Sequence, residues 1–128
     1  MNDLEKSVKF YLALGCTINP LFTDEQQKCM VWSDSIYIML QSRQFANTYL
    51  DKTAIDASKY QMPSFTLPVN SVTEVNEIIK CGLLAGGTEP VFAINEGFVY
   101  LRSIEDVDGY MWGVMFLNVE HFKVLKNK

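Results

Sequence analysis

The side chains able to do chemistry are few and scattered. There is one histidine, His121, and three cysteines, Cys16, Cys29 and Cys81. Metal sites and nucleophilic dyads need clustered donors, and no Ser, Cys or acid stands at a useful spacing from His121. An odd number of widely spaced cysteines reads as reduced thiols of a cytoplasmic protein, not as a disulfide framework. Gly86-Gly87 closes a helix instead of opening one, so it is no phosphate loop. The denser chemistry lies at Asp106-Val107-Asp108-Gly109-Tyr110-Met111-Trp112-Gly113-Val114-Met115-Phe116-Leu117, an acidic turn feeding an aromatic strand. Gly113 in mid-strand marks a close approach or an open space, here expected on a pocket wall. Arg102 just before this run could grip a carboxylate or phosphate with its guanidinium fork, or could pair with Glu105 or Asp106.

The elements that must position these groups follow from capping and periodicity. Asn2-Asp3-Leu4-Glu5 predicts a capping box with Asn2 as the cap, followed by Leu4, Val8, Tyr11 and Leu12 at helical spacing and by Gly15 as the stop. Cys16 to Leu21, Lys28 to Trp32 and Ser35 to Gln41 are expected strands, the last two joined at Ser33-Asp34. Residues 42–62 form a polar linker in which Arg43 to Leu50 could be a short helix. Ser64 to Val69 is a strand. Ser71-Val72-Thr73-Glu74 caps a second helix that ends at Gly86-Gly87. Val91 to Ile94, Phe98 to Ile104 and Tyr110 to Leu117 follow as strands. Both halves therefore run helix and three strands, offset by about 70 residues. The second copy has a strand before its helix; the first shows none.

Composition bounds the rest. The 128 residues suit one domain with its own core. A net charge of −4 excludes a basic nucleic-acid surface. No apolar run approaches the roughly 18 residues of a membrane span, and no signal peptide is expected.

Two motifs carry a resemblance. Asn2 through Tyr11, with Leu14-Gly15 closing the helix, resembles the first helix of the vicinal-oxygen-chelate superfamily, which includes glyoxalase I, bleomycin-resistance proteins and extradiol dioxygenases. Glu105-Asp106-Val107-Asp108-Gly109-Tyr110 resembles that group's Asp-Pro-Asp-Gly turn, with Val107 in place of proline. The resemblance implies an α+β fold of paired βαβββ modules whose curled mixed sheets surround a cleft. A single such domain would fill 1–128, with a first module at 1–41 lacking its first strand, a second module at 63–117 and a C-terminal extension at 118–128. It also implies a divalent metal held by His and Glu side chains. At the matching positions stand Met39, Ser64 and Gly113, none an ordinary ligand for such an ion. No metal and no cofactor are therefore expected.

Strand alternation then gives the expected cleft lining. A two-residue turn at Ser33-Asp34 pairs Met30 with Tyr37 and Lys28 with Met39, leaving Ile36, Ile38, Leu40 and Cys29 toward the first helix. A four-residue turn at Asp106 to Gly109 sets Arg102 opposite Gly113 and Tyr100 opposite Met115, with Trp112, Val114 and Phe116 toward the second helix. The ligand-binding face is then Met30, Tyr37, Met39, Ser64, Thr66, Phe98, Tyr100, Arg102, Met111, Gly113 and Met115. Such a face suits a small planar or anionic molecule, although a methionine and aromatic stripe is also what a plain core contains. Three functions are open: a metal-free binding protein, a lactoylglutathione lyase-like enzyme or dioxygenase, and an interaction protein with a filled cleft. An uncovered edge in the first module predicts a homodimer that supplies the pairing, or a C-terminal segment, Asn118 to Leu125, folding back as a strand.

Overall fold

Helix α1 (Leu4–Leu14) begins where the Asp3 carboxylate accepts the Lys6 N–H at 3.2 Å. The structure, a computed structural model, describes residues 3–52 and 54–126, so the expected cap Asn2 lies outside the described residues. Gly15, at φ +119°, ends the helix and donates its N–H to the Leu12 carbonyl at 3.1 Å. Ser7, Phe10, Tyr11 and Leu14 fall on one face and are buried. Burial of each large apolar side chain contributes about 1.5–3 kcal/mol, which is what fastens this helix.

The chain then makes a short strand β1 (Thr17–Ile18), a 3₁₀ turn at Pro20–Phe22, and the hairpin β2 (Gln27–Ser33) and β3 (Ile36–Gln41). These form a three-stranded antiparallel sheet in the order β1-β2-β3. A single turn of helix, α2 (Arg43–Ala46), capped by Ser42, starts the crossing to the second half. There β4 (Phe65–Val69) leads to α3 (Val72–Leu84). Ser71 Oγ accepts the Glu74 N–H at 3.1 Å, and Glu74 reaches back to the Asn70 N–H at 3.4 Å, so the box closes one residue earlier than expected. Strands β5 (Ile94–Asn95), β6 (Val99–Glu105) and β7 (Met111–Leu117) complete a second sheet in the order β4-β7-β6-β5. In it β4 runs parallel to β7, and the other pairs are antiparallel.

The fold is thus α+β with the expected doubling, and no strand precedes α1 among the described residues. One core joins the halves. Phe10, Tyr11, Leu14, Met30 and Leu40 from the first pack with Leu67, Val75, Ile79, Ile104 and Val114 from the second. A Cβ at Gly82 on α3 would lie 2.3 Å from Ile104 Cδ1 and 2.9 Å from Leu14 Cδ1, so α1, α3 and β6 meet closely there.

Three expectations are corrected. Residues 119–126 form a helix, α4 (Val119–Lys126), not a returning strand. Asn118 Oδ1 accepts the His121 N–H at 3.0 Å and so supplies the N-terminal cap that overrides the strand preference of Phe122, Val124 and Leu125. The strand expected at Val91 to Ile94 reduces to Ile94–Asn95. The hairpin registers also differ, and this decides which side chains share a face.

Candidate functional site

In the first hairpin Met30 lies opposite Ile38 and Cys29 opposite Met39, with a bulge between Val31 and Ser33. In the second, Arg102 lies opposite Val114, Ser103 opposite Gly113, and Leu101 opposite Met115. Each expected pairing is off by one residue, and a one-residue slip moves a side chain to the other face. The cause at the second turn is plain. Asp106 Oδ1 accepts the N–H groups of Asp108 and Tyr110, both at 2.9 Å, and the Asp106 N–H donates to the Tyr110 carbonyl at 2.9 Å. Tyr110 therefore belongs to the loop, which has five residues between Glu105 and Met111.

Three expected cleft residues consequently face the helices. Met30 is fully buried in the core, and Tyr100 packs against it. Arg102 lies across from α3, where its Nε and Nη2 reach the Glu89 carboxylate at 2.9 and 2.7 Å and its Nη1 reaches Asn76 Oδ1 at 3.1 Å. Tyr100 Oη donates to the same Asn76 oxygen at 2.8 Å. The hydrogen bond from Arg102 holds the Glu89 carboxyl below its ordinary range and raises the guanidinium in turn. The fork pairs with Glu89 on the helix side of the sheet, away from the seam. Cys29 makes the reverse move: it lines the open face with Tyr37 and Met39.

Trp112, Val114 and Phe116 do join the core, as expected. Gly113 is buried on the opposite face, and a Cβ there would lie 3.1 Å from Leu101 Cδ1 and 3.2 Å from Thr66 Oγ1. Its vacated space is thus already filled by neighbours. Ser64 and Thr66 are exposed, Met115 is half-buried, and half-buried Phe98 sits in the turn before β6, its carbonyl accepting the Asn118 N–H at 2.7 Å. The structure does not gather these four around one cavity.

What it does gather is a seam between the halves. A cavity of about 330 Å³ runs along β3 from Ile38 to Gln41 and is closed by Tyr11, Met39, Phe65, Met111 and Trp112. A second, of about 420 Å³, continues it past Ile36, Tyr37 and Thr66. Of the expected residues, the seam takes Tyr37, Met39, Thr66 and Met111. Sequence reasoning missed Tyr11, Phe65 and Trp112. Tyr11 is expected only as a helically spaced residue of the first helix and Trp112 as a helix-facing one; both are polar-tipped aromatics, and that polar tip was the signal available.

The floor of the seam is tied together by hydrogen bonds. Trp112 Nε1 donates to Tyr11 Oη at 2.8 Å, and Tyr11 Oη donates to Asp106 Oδ2 at 2.5 Å. Ser7 Oγ donates to Asp108 Oδ2 at 2.9 Å. Burial, then the Asp106 charge, raises the Tyr11 hydroxyl well above its ordinary range; desolvation likewise raises Asp106, against the hydrogen bonds it accepts. Tyr11 therefore keeps its proton, and the hydrogen bonds tie α1 to the β6–β7 turn. Gly109, at φ +97°, completes the tie: a Cβ there would lie 2.7 Å from the Ala57 carbonyl oxygen and 2.8 Å from Ser58 Cα, so the backbone of Ala57 and Ser58 rests directly on the turn. Burial pushes the Cys16 thiol up to about 11, which leaves it a poor nucleophile.

No protein-family model matches the chain, and no curated protein matches it. Solved structures do. A hypothetical protein from S. aureus is 23% identical with a TM-score of 0.75, covering 91% of this chain and 87% of its own. A glyoxalase-related enzyme from Fulvimarina pelagi is 20% identical with a TM-score of 0.74, over 91% and 81%. A glyoxalase/bleomycin resistance protein/dioxygenase family enzyme from Burkholderia phytofirmans is 10% identical with a TM-score of 0.73, over 91% and 92%. The chain has the fold these structures share.

Proposed function

From the premise of a vicinal-oxygen-chelate fold, we propose that this chain is a metal-free binding protein of the glyoxalase/bleomycin-resistance type that holds a small planar molecule in the seam. The observation that carries this reading is the seam's wall. Tyr11, Phe65 and Trp112 offer flat faces, and Met39 and Met111 adapt to irregular ones. Of the two ligand classes, the planar one is favoured, because the Arg102 fork is spent on Glu89.

The metal that the fold family uses does not fit the donors. Met39, Ser64 and Gly113 supply a thioether, a hydroxyl and no side chain at the ligand positions, where carboxylates and imidazoles are needed. Among the described residues no three His, Cys, Asp or Glu side chains converge. No step through a metal is derived, and the lyase and dioxygenase readings find no support in this donor set. A homodimer belongs to the same reading, supported by the exposed apolar side chains of Leu84 and Phe92. The free thiols of Cys16, Cys29 and Cys81 support a cytoplasmic setting. Among the described residues no helix is long and apolar enough to cross a membrane.

A thermal-shift screen of flat aromatic compounds against wild type, Met111→Ala and Arg102→Ala tests the site. Hits should lose their shift in Met111→Ala and keep it in Arg102→Ala. Hits that depend on Arg102 and ignore Met111 would overturn the reading. Light scattering at about 100 µM should give the dimer mass, a concentration at which a standard-sized interface survives.

A further inference from the structure

The two halves differ at one edge. In the second, β4 lies parallel to β7 and sends Phe65, Leu67 and Val69 to the helix side, with Leu67 only 2% exposed. In the first, β3 is the counterpart of β7, and among the described residues no strand pairs with its outer edge.

The ladder shows which backbone groups face that edge. The Asn19 N–H donates to the Cys29 carbonyl at 2.9 Å, so the Cys29 backbone faces β1. The Ser42 N–H donates to the Gln26 carbonyl at 2.9 Å. Bonded pairs in an antiparallel ladder recur at every second residue, so Leu40 and Ile38 exchange bonds with Lys28 and Met30. Tyr37 and Met39 then turn their N–H and C=O groups away from β2, toward β4.

The seam cavities look onto those groups. One is walled by three consecutive residues of each strand, Ile36, Tyr37 and Ile38 against Phe65, Thr66 and Leu67. Consecutive residues point to opposite faces, so a cavity touching all of them sees both backbone edges. Its continuation sets Ile38 to Gln41 against Pro63 and Phe65, so β3 and β4 run in opposite directions across the gap.

We propose that the seam binds an extended peptide segment of another polypeptide as an added strand, parallel to β3 and antiparallel to β4. This goes beyond the small-molecule reading and rests on it only for a seam that is open to a ligand. The direction is set by β4, which occupies the equivalent place beside β7. The added strand would continue two existing ladders, β2–β3 and β4–β7. Its side chains are set by the same template. Alternate residues are apolar, like Phe65, Leu67 and Val69, and meet Ile38, Phe65 and Trp112, while the intervening ones face outward beside Tyr37 and Thr66. Main-chain bonds to Tyr37 and Met39 supply register, and the apolar alternation supplies selectivity.

The peptide arms use the unaltered protein, and the dye arm adds Phe65→Ala. A fluorescein-labelled peptide, Thr-Val-Thr-Leu-Thr-Val-Thr with capped ends, is titrated by anisotropy beside the same peptide N-methylated at alternate amides. Binding of the parent, with on the order of tenfold weakening in the methylated form, is expected, the size that follows from losing interface hydrogen bonds. Amide exchange followed by NMR should show Tyr37 and Met39 becoming protected when the parent peptide binds. Equal binding of the two peptides, or protection elsewhere, overturns the proposal. So does protection of Tyr37 and Met39 in the peptide-free dimer, since a second copy would then fill the seam. An arm with 8-anilinonaphthalene-1-sulfonate separates the two readings. If the dye binds in a Phe65-dependent way and no peptide displaces it, the strand proposal fails and the seam reading stands. If neither probe binds, both fail.

Discussion

The second half of this molecule is closed and the first is open. Beside β7 lies β4, and behind both lies α3, so Leu67, Val75, Ile79 and Val114 are shut away from solvent. Beside β3 lies a gap, and Ile38, which should be as well covered as Leu67, stays half-buried at the rim. The same helix-and-strands pattern thus yields a finished module and an unfinished one. The difference is that, among the described residues, the first half leaves the outer edge of β3 unpaired where β4 covers β7. It leans on α3 through Leu14 and Gly82, and on the β6–β7 turn through Tyr11 and Asp106. The stability of the open half is lent across the core by the closed one.

The sharpest way to break that comparison is to cut equivalent side chains. Leu67→Ala should lower the unfolding free energy by about 2–5 kcal/mol, as for other fully buried leucines. Ile38→Ala should cost about half as much, because its side chain is already partly wetted. Urea denaturation of both variants decides it. Equal losses would mean that β3 is covered in solution and that the two halves are alike after all.

The tie between the halves comes next in size. Tyr11→Phe keeps the ring in the core but removes the acceptor of Trp112 Nε1–H and a donor to Asp106. A buried donor left without a partner costs about 1–3 kcal/mol. The same denaturation series should show this loss, and Trp112 fluorescence should shift as its indole loses a partner. A loss near zero would mean that the open half stands on its own packing.

The elements were legible because their ends are chemically marked. Ser71, Gly15 and the Asp106 to Gly109 turn each do locally what their residue type does best, and the doubled pattern followed. Register was not legible, because it depends on how many residues a turn consumes. Asp106 takes two backbone N–H groups on one oxygen and thereby draws Tyr110 into the loop, which sent Arg102 and Tyr100 to the helix side. A bulge beside Val31 did the same for Met30. The seam was half legible. Met39 and Met111 belong to the expected cleft face, whereas Trp112 is expected on the helix side and Phe65 carries no expected face. With no strand of the described residues in the gap, a helix-side residue can line a cavity too.

The smallest effect separates two carboxylates that the fold treats in opposite ways. Glu89, on the closed half, is held below its ordinary value by the Arg102 hydrogen bond. A carboxyl lowered in the folded state adds stability that is present above its unfolded value and lost as pH falls through the folded one. Asp106, on the tie between halves, is raised above 3.8, chiefly by desolvation. The folded state then holds that proton more tightly than the unfolded one, so its contribution declines as pH rises from 3.8 through the raised value. The two slopes oppose each other on the acid side. Glu89→Gln should therefore lose less stability on acidification than wild type, by under about 1 kcal/mol for a partly solvated pair. Asp106→Asn should lose more, because the opposing slope is gone. Urea midpoints measured between about pH 3 and pH 7 resolve the two. If both variants moved the acid limb in the same direction, the buried turn would be no different electrostatically from the surface pair, and the tie would not be the desolvated joint that holds the open half in place.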